Sequence, residues 1–337
     1  MLKGLATGIG SLPYTLPEEA VDLVLRVLPE APFWPQLPKK DKREWMVEQF
    51  SEHLPLPGLS GGDSPEKLEE FYAKIIGGET EYFRVSEEYA AGLYAFKQRL
   101  TADPGALESI EFIKCHITGP FTFAASLKDR SGKALLHDHT MMQVVIKGLI
   151  MKALWQINFF KQFNKKIILF IDEPYLGCFG SAYTPINRKD VVAGLTELTG
   201  EIKKQGALLG VHCCGNTDWS IFTEIPALDI INFDAFGFLE KFTIYAGDLK
   251  NFISRGGMIC WGVVPTQEFS AKITPVSLLE KLQEGIDSLV KKGIPRESLV
   301  KNLMISPACG LGSLEPEKAA SVFEALGKTS SLIRKTF

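Results

Sequence analysis

The chain has 337 residues, 45% hydrophobic and 23% charged, with 37 basic side chains against 40 acidic ones and a formal net charge of −3. This composition excludes a disordered chain, a collagen-like or coiled-coil fibre and a disulfide-stapled mini-protein. It also lacks the basic excess with which a dedicated nucleic-acid binder meets phosphates, so no nucleic-acid partner is expected.

Eight short apolar runs, rich in β-branched residues, follow one another along the chain. They are Leu5–Ile9, Pro32–Leu37, Glu111–Ile117, Ile167–Ile171, Leu208–His212, Ile230–Phe233, Met258–Val263 and Leu303–Ser306. Several are apolar almost throughout, the pattern of parallel strands covered on both faces. Helical periods lie between them. Ser64-Pro65 opens one, with Leu68, Phe71, Tyr72, Ile75 and Ile76 at helical spacing. Met141 to Phe163 is a core helix; Lys147, Lys152 and Lys161 within it argue against a membrane span. His137 and His139 flank its start and are read as its cap. Thr274-Pro275 opens another helix, ended by Gly293, and Pro316 begins the last.

Eight strand-then-helix units predict an α/β fold, a single (β/α)8 TIM barrel spanning 1–337. A doubly wound open sheet with a small second domain is the alternative. The interval between the second and third runs, 37 to 111, is the longest and predicts an extra helical insertion. Its Gly/Asp/Ser-rich stretch at 58–64 is read as a lid or added layer. The N-terminus shows no signal-peptide pattern, and six cysteines are scattered without a disulfide framework. A reduced, cytoplasmic protein without a membrane role is expected.

In such a barrel the reactive groups stand just past the C-terminal strand ends. Those positions hold Gly10-Ser11, Asp172-Glu173-Pro174, His212-Cys213-Cys214, Asp234 and Cys309-Gly310. His212 and Cys214 are two apart on a strand and project to one face. With Asp234 and Cys309 they make an N/S/O donor set that suits Zn²⁺ and not Mg²⁺ or Ca²⁺. The plainer alternative is packing, since an isolated His-x-Cys or Cys-Gly is commonly an ordinary buried pair. Asp172 and Glu173 offer a place for a substrate ammonium; the alternative is an acid placed for a helix dipole. Gly10 and Ser11 offer backbone N–H groups to a carboxylate.

These motifs, in order, resemble the catalytic domain of cobalamin-independent methionine synthases. That family lies within the uroporphyrinogen decarboxylase/methionine synthase superfamily of (β/α)8 barrels. The matching pieces are Ile9-Gly10-Ser11-Leu12-Pro13, Met46-Val47-Glu48-Gln49-Phe50, Gly119-Pro120-Phe121-Thr122, Ile171-Asp172-Glu173-Pro174, His212-Cys213-Cys214 and Cys309-Gly310-Leu311. The resemblance implies zinc held by His212, Cys214 and Cys309, with Asp234 where the family has Glu. It implies that Asp172 binds the homocysteine ammonium and that Ser11, beside Ile9 and Gly10, lies near its carboxylate.

Three departures follow from the same alignment. Lys40 stands near the family's second ammonium-binding acid, and Trp45 replaces another acid. The family's N-terminal half-domain has no counterpart here, so folate is not the expected donor. The expectation is a zinc-dependent methyltransferase that moves a methyl group from a corrinoid, such as methylcobalamin, a corrinoid protein or a small donor, to a small thiol. The rivals are a metal-free decarboxylase resembling uroporphyrinogen decarboxylase, which needs arginines at its mouth, and a non-catalytic partner of a corrinoid protein.

Overall fold

The apolar runs associate because each carries enough Val, Ile, Leu and Phe to be covered on both faces. The computed structural model describes residues 2–57, 64–181, 186–270 and 272–337. Among them are seven strands: β1 (Leu5–Ala6), β2 (Phe112–Thr118), β3 (Lys166–Asp172), β4 (Leu208–Cys213), β5 (Ile230–Phe233), β6 (Met258–Val264) and β7 (Met304–Pro307). They form one parallel sheet in the order β1-β7-β6-β5-β4-β3-β2. It is a curled sheet of the TIM-barrel kind, with helices packed on its outer face.

The strand count corrects the expected eight. The run at 32–37 is not a regular strand, because Pro32 and Pro35 carry no N–H with which to continue a ladder. It nonetheless lies between β1 and β2. Phe33 makes a parallel bridge to Lys114 on one side, and Gln36 makes one to Ser11 on the other. The Lys114 N–H donates to the Pro32 carbonyl at 2.8 Å, and the Gln36 N–H to the Gly10 carbonyl at 3.0 Å. Two single bridges thus stand where two ladders were expected.

Alternation along the strands sorts the interior. Phe112, Ile168, Phe170, Ile230, Met258, Cys260 and Met304 form a small apolar cluster within the curl of the sheet. The larger cluster lies between sheet and helices. Lys114, two residues beyond Phe112, shares its face and is fully buried. Its ammonium donates to the Ile9 carbonyl and lies 4.7 Å from the centre of the Phe170 ring. Burial pushes its pKa down to about 8.

The helical insertion is present. Between residues 37 and 112 lie the helices Pro65–Ile76, Ala91–Ala102 and Pro104–Ser109 and three short 3-10 turns. Ser64 caps the first, accepting from the Lys67 N–H, but Ile76 at its end is exposed rather than packed. Of the expected lid at 58–64, residues 58–63 lie outside the described residues. The helix His139–Phe160 is capped by Asp138, whose carboxylate accepts from the Thr140 and Met141 N–H groups, and not by the flanking histidines. A carboxylate of that reach satisfies two orphan donors, which an imidazole does not. Thr274 caps Pro275–Lys291 in a reciprocal pair with Ser277, and the last helix runs Pro316–Thr336. No helix among the described residues is long and apolar enough to cross a membrane.

Candidate metal centre and substrate cavity

β4 and β7 deliver three soft donors to one point. One ligand atom each from His212, Cys214 and Cys309 lie within 4.8 Å of one another. His212 is buried, and the two cysteines are partly buried. The geometry begins one strand away, on β5. The Asn232 amide nitrogen donates to the Cys260 carbonyl at 2.9 Å and to Ser306 Oγ at 2.8 Å. Ser306 Oγ itself donates to the Pro307 carbonyl, so it accepts from Asn232. That fixes the Asn232 oxygen toward His212 Nδ1, which must therefore carry the proton. His212 Nε2 is left with its lone pair free of any nitrogen or oxygen partner, buried and facing the Cys309 sulfur. A buried imidazole nitrogen facing two thiols is a donor set that could hold a soft metal ion such as zinc.

The two sulfurs behave as one unit. Cys309 is driven well down, chiefly because the Cys214 thiol donates to it, and Cys214 is driven up by the same bond.

Asp234, expected as the fourth donor, lies outside the close group. Its carboxylate is turned back on its own loop, accepting from the Gly237 N–H at 2.7 Å. It is near enough to Cys309 for the two negative charges to raise its pKa, although burial is the larger cause. The structure thus brings together three of the four expected ligands.

Asp172 ends β3 in register with His212 on β4. It is buried, and its Oδ1 has no partner. Burial pushes its pKa up, and the Lys114 ammonium below it pulls the other way. Glu173 goes elsewhere. Its carboxylate accepts from the Phe121 and Thr122 N–H groups, at 3.0 and 2.8 Å, and from the Thr122 hydroxyl at 2.6 Å. It is the buried acid at the start of the helix Pro120–Ser126, not part of the cavity wall. Burial pushes its pKa up to about 7 against those hydrogen bonds. Gly119 must be glycine here, since a Cβ would fall 2.2 Å from the Glu173 carboxyl carbon.

A cavity of about 510 Å³ opens above these groups. Asp172, His212, Cys214 and Cys309 line its floor, and Ile9 and Ser11 line the β1 side. Trp45, Met46, Pro38 and Pro174 give apolar wall, with Gln36 and Lys39 as polar additions. Gly10 does not line it; the Gly10 backbone leans on the His116 ring, where a Cβ would meet the imidazole at 3.0 Å. Ser11 ties β1 to the loop carrying Cys309, its carbonyl accepting from the Leu311 N–H and its hydroxyl from the Gly312 N–H. Lys39, and not Lys40, reaches the cavity; Lys40 is exposed outside it. No arginine is among the residues lining it.

Asn232, Ser306 and Lys114 were not singled out from sequence. Their signal was present, as polar residues inside apolar strand runs at interior-facing positions.

No family model matches the chain, and no curated protein matches it by sequence. Among solved structures it is similar to a B12-independent methionine synthase from Shewanella sp. W3-18-1 in complex with selenomethionine. That match is 15% identical, covers 99% of this chain and 98% of that chain, and has a TM-score of 0.55. A Bacteroidetes-affiliated GH5 cellulase matches at 11% identity over 74% of this chain and 79% of that chain, with a TM-score of 0.43. The first of these likenesses bears on the fold.

Proposed function

We propose that the protein is a zinc-dependent methyltransferase acting on a small thiol. The observation that carries this reading is the convergence of His212 Nε2, Cys214 and Cys309 at the floor of a cavity, with no nitrogen or oxygen partner for the buried ring nitrogen. The neighbouring methionine synthase fold is consistent with it. Zinc, when bound, lowers the pKa of an incoming thiol and keeps its sulfur nucleophilic at neutral pH.

The chain's own residues do the rest. Asn232 holds the His212 proton on Nδ1, so that Nε2 stays available. Asp172 places a buried carboxyl beside the sulfur donors, where it can hold an ammonium of the acceptor. Ile9 and Ser11 form the wall beside it, and Trp45, Met46 and Pro174 give it apolar surface. Methyl transfer by in-line displacement requires little more than a sulfur nucleophile and alignment with the donor. We take the methyl donor to be a corrinoid or a small methyl donor. We take the acceptor to be homocysteine-like in carrying its thiol on a short chain with charged ends.

Two measurements test this together. The purified protein should hold one zinc per chain, lost in Cys214→Ser and in Cys309→Ser. With methylcobalamin and homocysteine it should form methionine, and the two variants should not. Stoichiometric zinc that survives both substitutions, or no zinc at all, overturns the proposal.

A further inference from the structure

Lys39 stands out among the residues facing the cavity. It is the one basic side chain, lysine or arginine, among those lining it. Its ammonium is anchored rather than free to wander, donating to the Leu314 carbonyl at 2.6 Å. A neutral carbonyl fixes the position of a cation without cancelling its charge. The second partner, Glu315 at 3.2 Å, has a carboxylate that is 79% exposed, and a pair so open to water is weak. The anchored charge can therefore answer to an anion that enters the cavity. Asp172 lies in the same cavity as a buried acid with an unpartnered oxygen. Pro38, Trp45 and Met46 add apolar surface to the same cavity.

We propose that Lys39 is a specificity-determining residue that receives an anionic group of the acceptor, which is therefore a thiol carrying a carboxylate or similar anion. This rests on the thiol-transfer reading above and names the substrate class for that site. Sulfur is directed to the His212, Cys214 and Cys309 group and the anion to Lys39. A thiol bearing only a cationic end meets Lys39 as a like charge.

The test uses the full chain loaded with Co²⁺ in place of zinc, whose visible absorption reports a thiol entering the metal's surroundings. Three thiols of similar length are titrated: 3-mercaptopropionate, 2-mercaptoethanol and cysteamine. The carboxylate thiol should bind about tenfold more tightly than the neutral one, the scale of one charge-assisted hydrogen bond. Lys39→Met should erase that preference while leaving cobalt content and 2-mercaptoethanol binding unchanged. Lys39→Glu should invert it in favour of cysteamine. Lys40→Met, next along the chain but outside the cavity, should leave the order as it is. An equal preference in the wild type and Lys39→Met, or no preference in the wild type, overturns the assignment of Lys39 alone. Failure of all three thiols to perturb the cobalt spectrum overturns both this assignment and the thiol-transfer reading beneath it.

Discussion

The Asn232 amide oxygen faces Nδ1 of His212, and this one contact decides which nitrogen of the ring is left to bind. Replacing Asn232 by Leu removes the acceptor and frees the ring to take either tautomer. Zinc affinity should fall by about 10- to 100-fold, the usual cost of losing an outer hydrogen bond to a ligating histidine. Asn232→Asp keeps an acceptor oxygen and should lose much less. Competition against a chromophoric chelator measures both; equal affinities in Asn232→Leu and wild type would contradict the tautomer argument.

Metal binding should also stabilise the folded chain. His212 Nε2 is buried without a nitrogen or oxygen partner, and the unfolded chain offers no such convergent site. At free zinc one thousand times its dissociation constant, the unfolding free energy should rise by about 4 kcal/mol. Denaturant titration with and without zinc reads this directly. His212→Ala should show little of the increase.

Lys152 gives a prediction independent of the site. It is fully buried in the helix His139–Phe160, and among the described residues its ammonium has only the Phe83 and Arg84 carbonyls as hydrogen-bond partners, each at 3.5 Å. Burial pushes its pKa from 10.5 down to about 7, with Glu52 opposing. Between those values the folded chain holds fewer protons than the unfolded one, so this residue's contribution to stability rises with pH. Lys152→Met should be more stable than wild type by up to about 5 kcal/mol at and below pH 7. The gain should shrink steadily and vanish near pH 10.5. A constant difference across that range would show that the lysine is not forced toward its neutral form.

Gly92 probes the irregular stretch between β1 and β2. A Cβ at this position would fall 1.9 Å from the Pro35 carbonyl oxygen. Backbone cannot step aside as the end of a side chain can, so Gly92→Ala should cost 3 kcal/mol or so, at the upper end of overpacking effects. Gly200→Ala, a helical glycine with open space around it, should be neutral or slightly stabilising. Thermal unfolding of the pair isolates the clash from the general effect of adding a methyl group.

Much of the architecture was legible because it rests on local chemistry. Continuous apolar runs such as Ile167–Ile171 can be buried on both faces only, and the Ser-Pro and Thr-Pro pairs announce helix starts. The run at 32–37 misled because its apolar residues have the composition of a strand while its two prolines deny it the hydrogen bonds of one. At the site, His212, Cys214 and Cys309 were readable as side chains at strand ends. Where a carboxylate turns was not. Asp234 and Glu173 occupy equivalent-looking positions, yet each is drawn to nearby backbone N–H groups, those of Gly237 and of the helix Pro120–Ser126. Which of two adjacent lysines meets the cavity likewise depends on the turn at Leu37–Lys40, where the Lys40 N–H closes on the Leu37 carbonyl.

The bridged segment between β1 and β2 separates the barrel's two tasks. The donors His212, Cys214 and Cys309 hang from staves tied by full ladders, whereas Gln36, Pro38 and Lys39 hang from or follow one tied by single bridges. Substitutions along 36–46 can therefore reshape the surface that meets the acceptor without shifting the sulfur donors. On the proposed function, a lineage built on this scaffold is free to change its choice of thiol while inheriting the donor group intact.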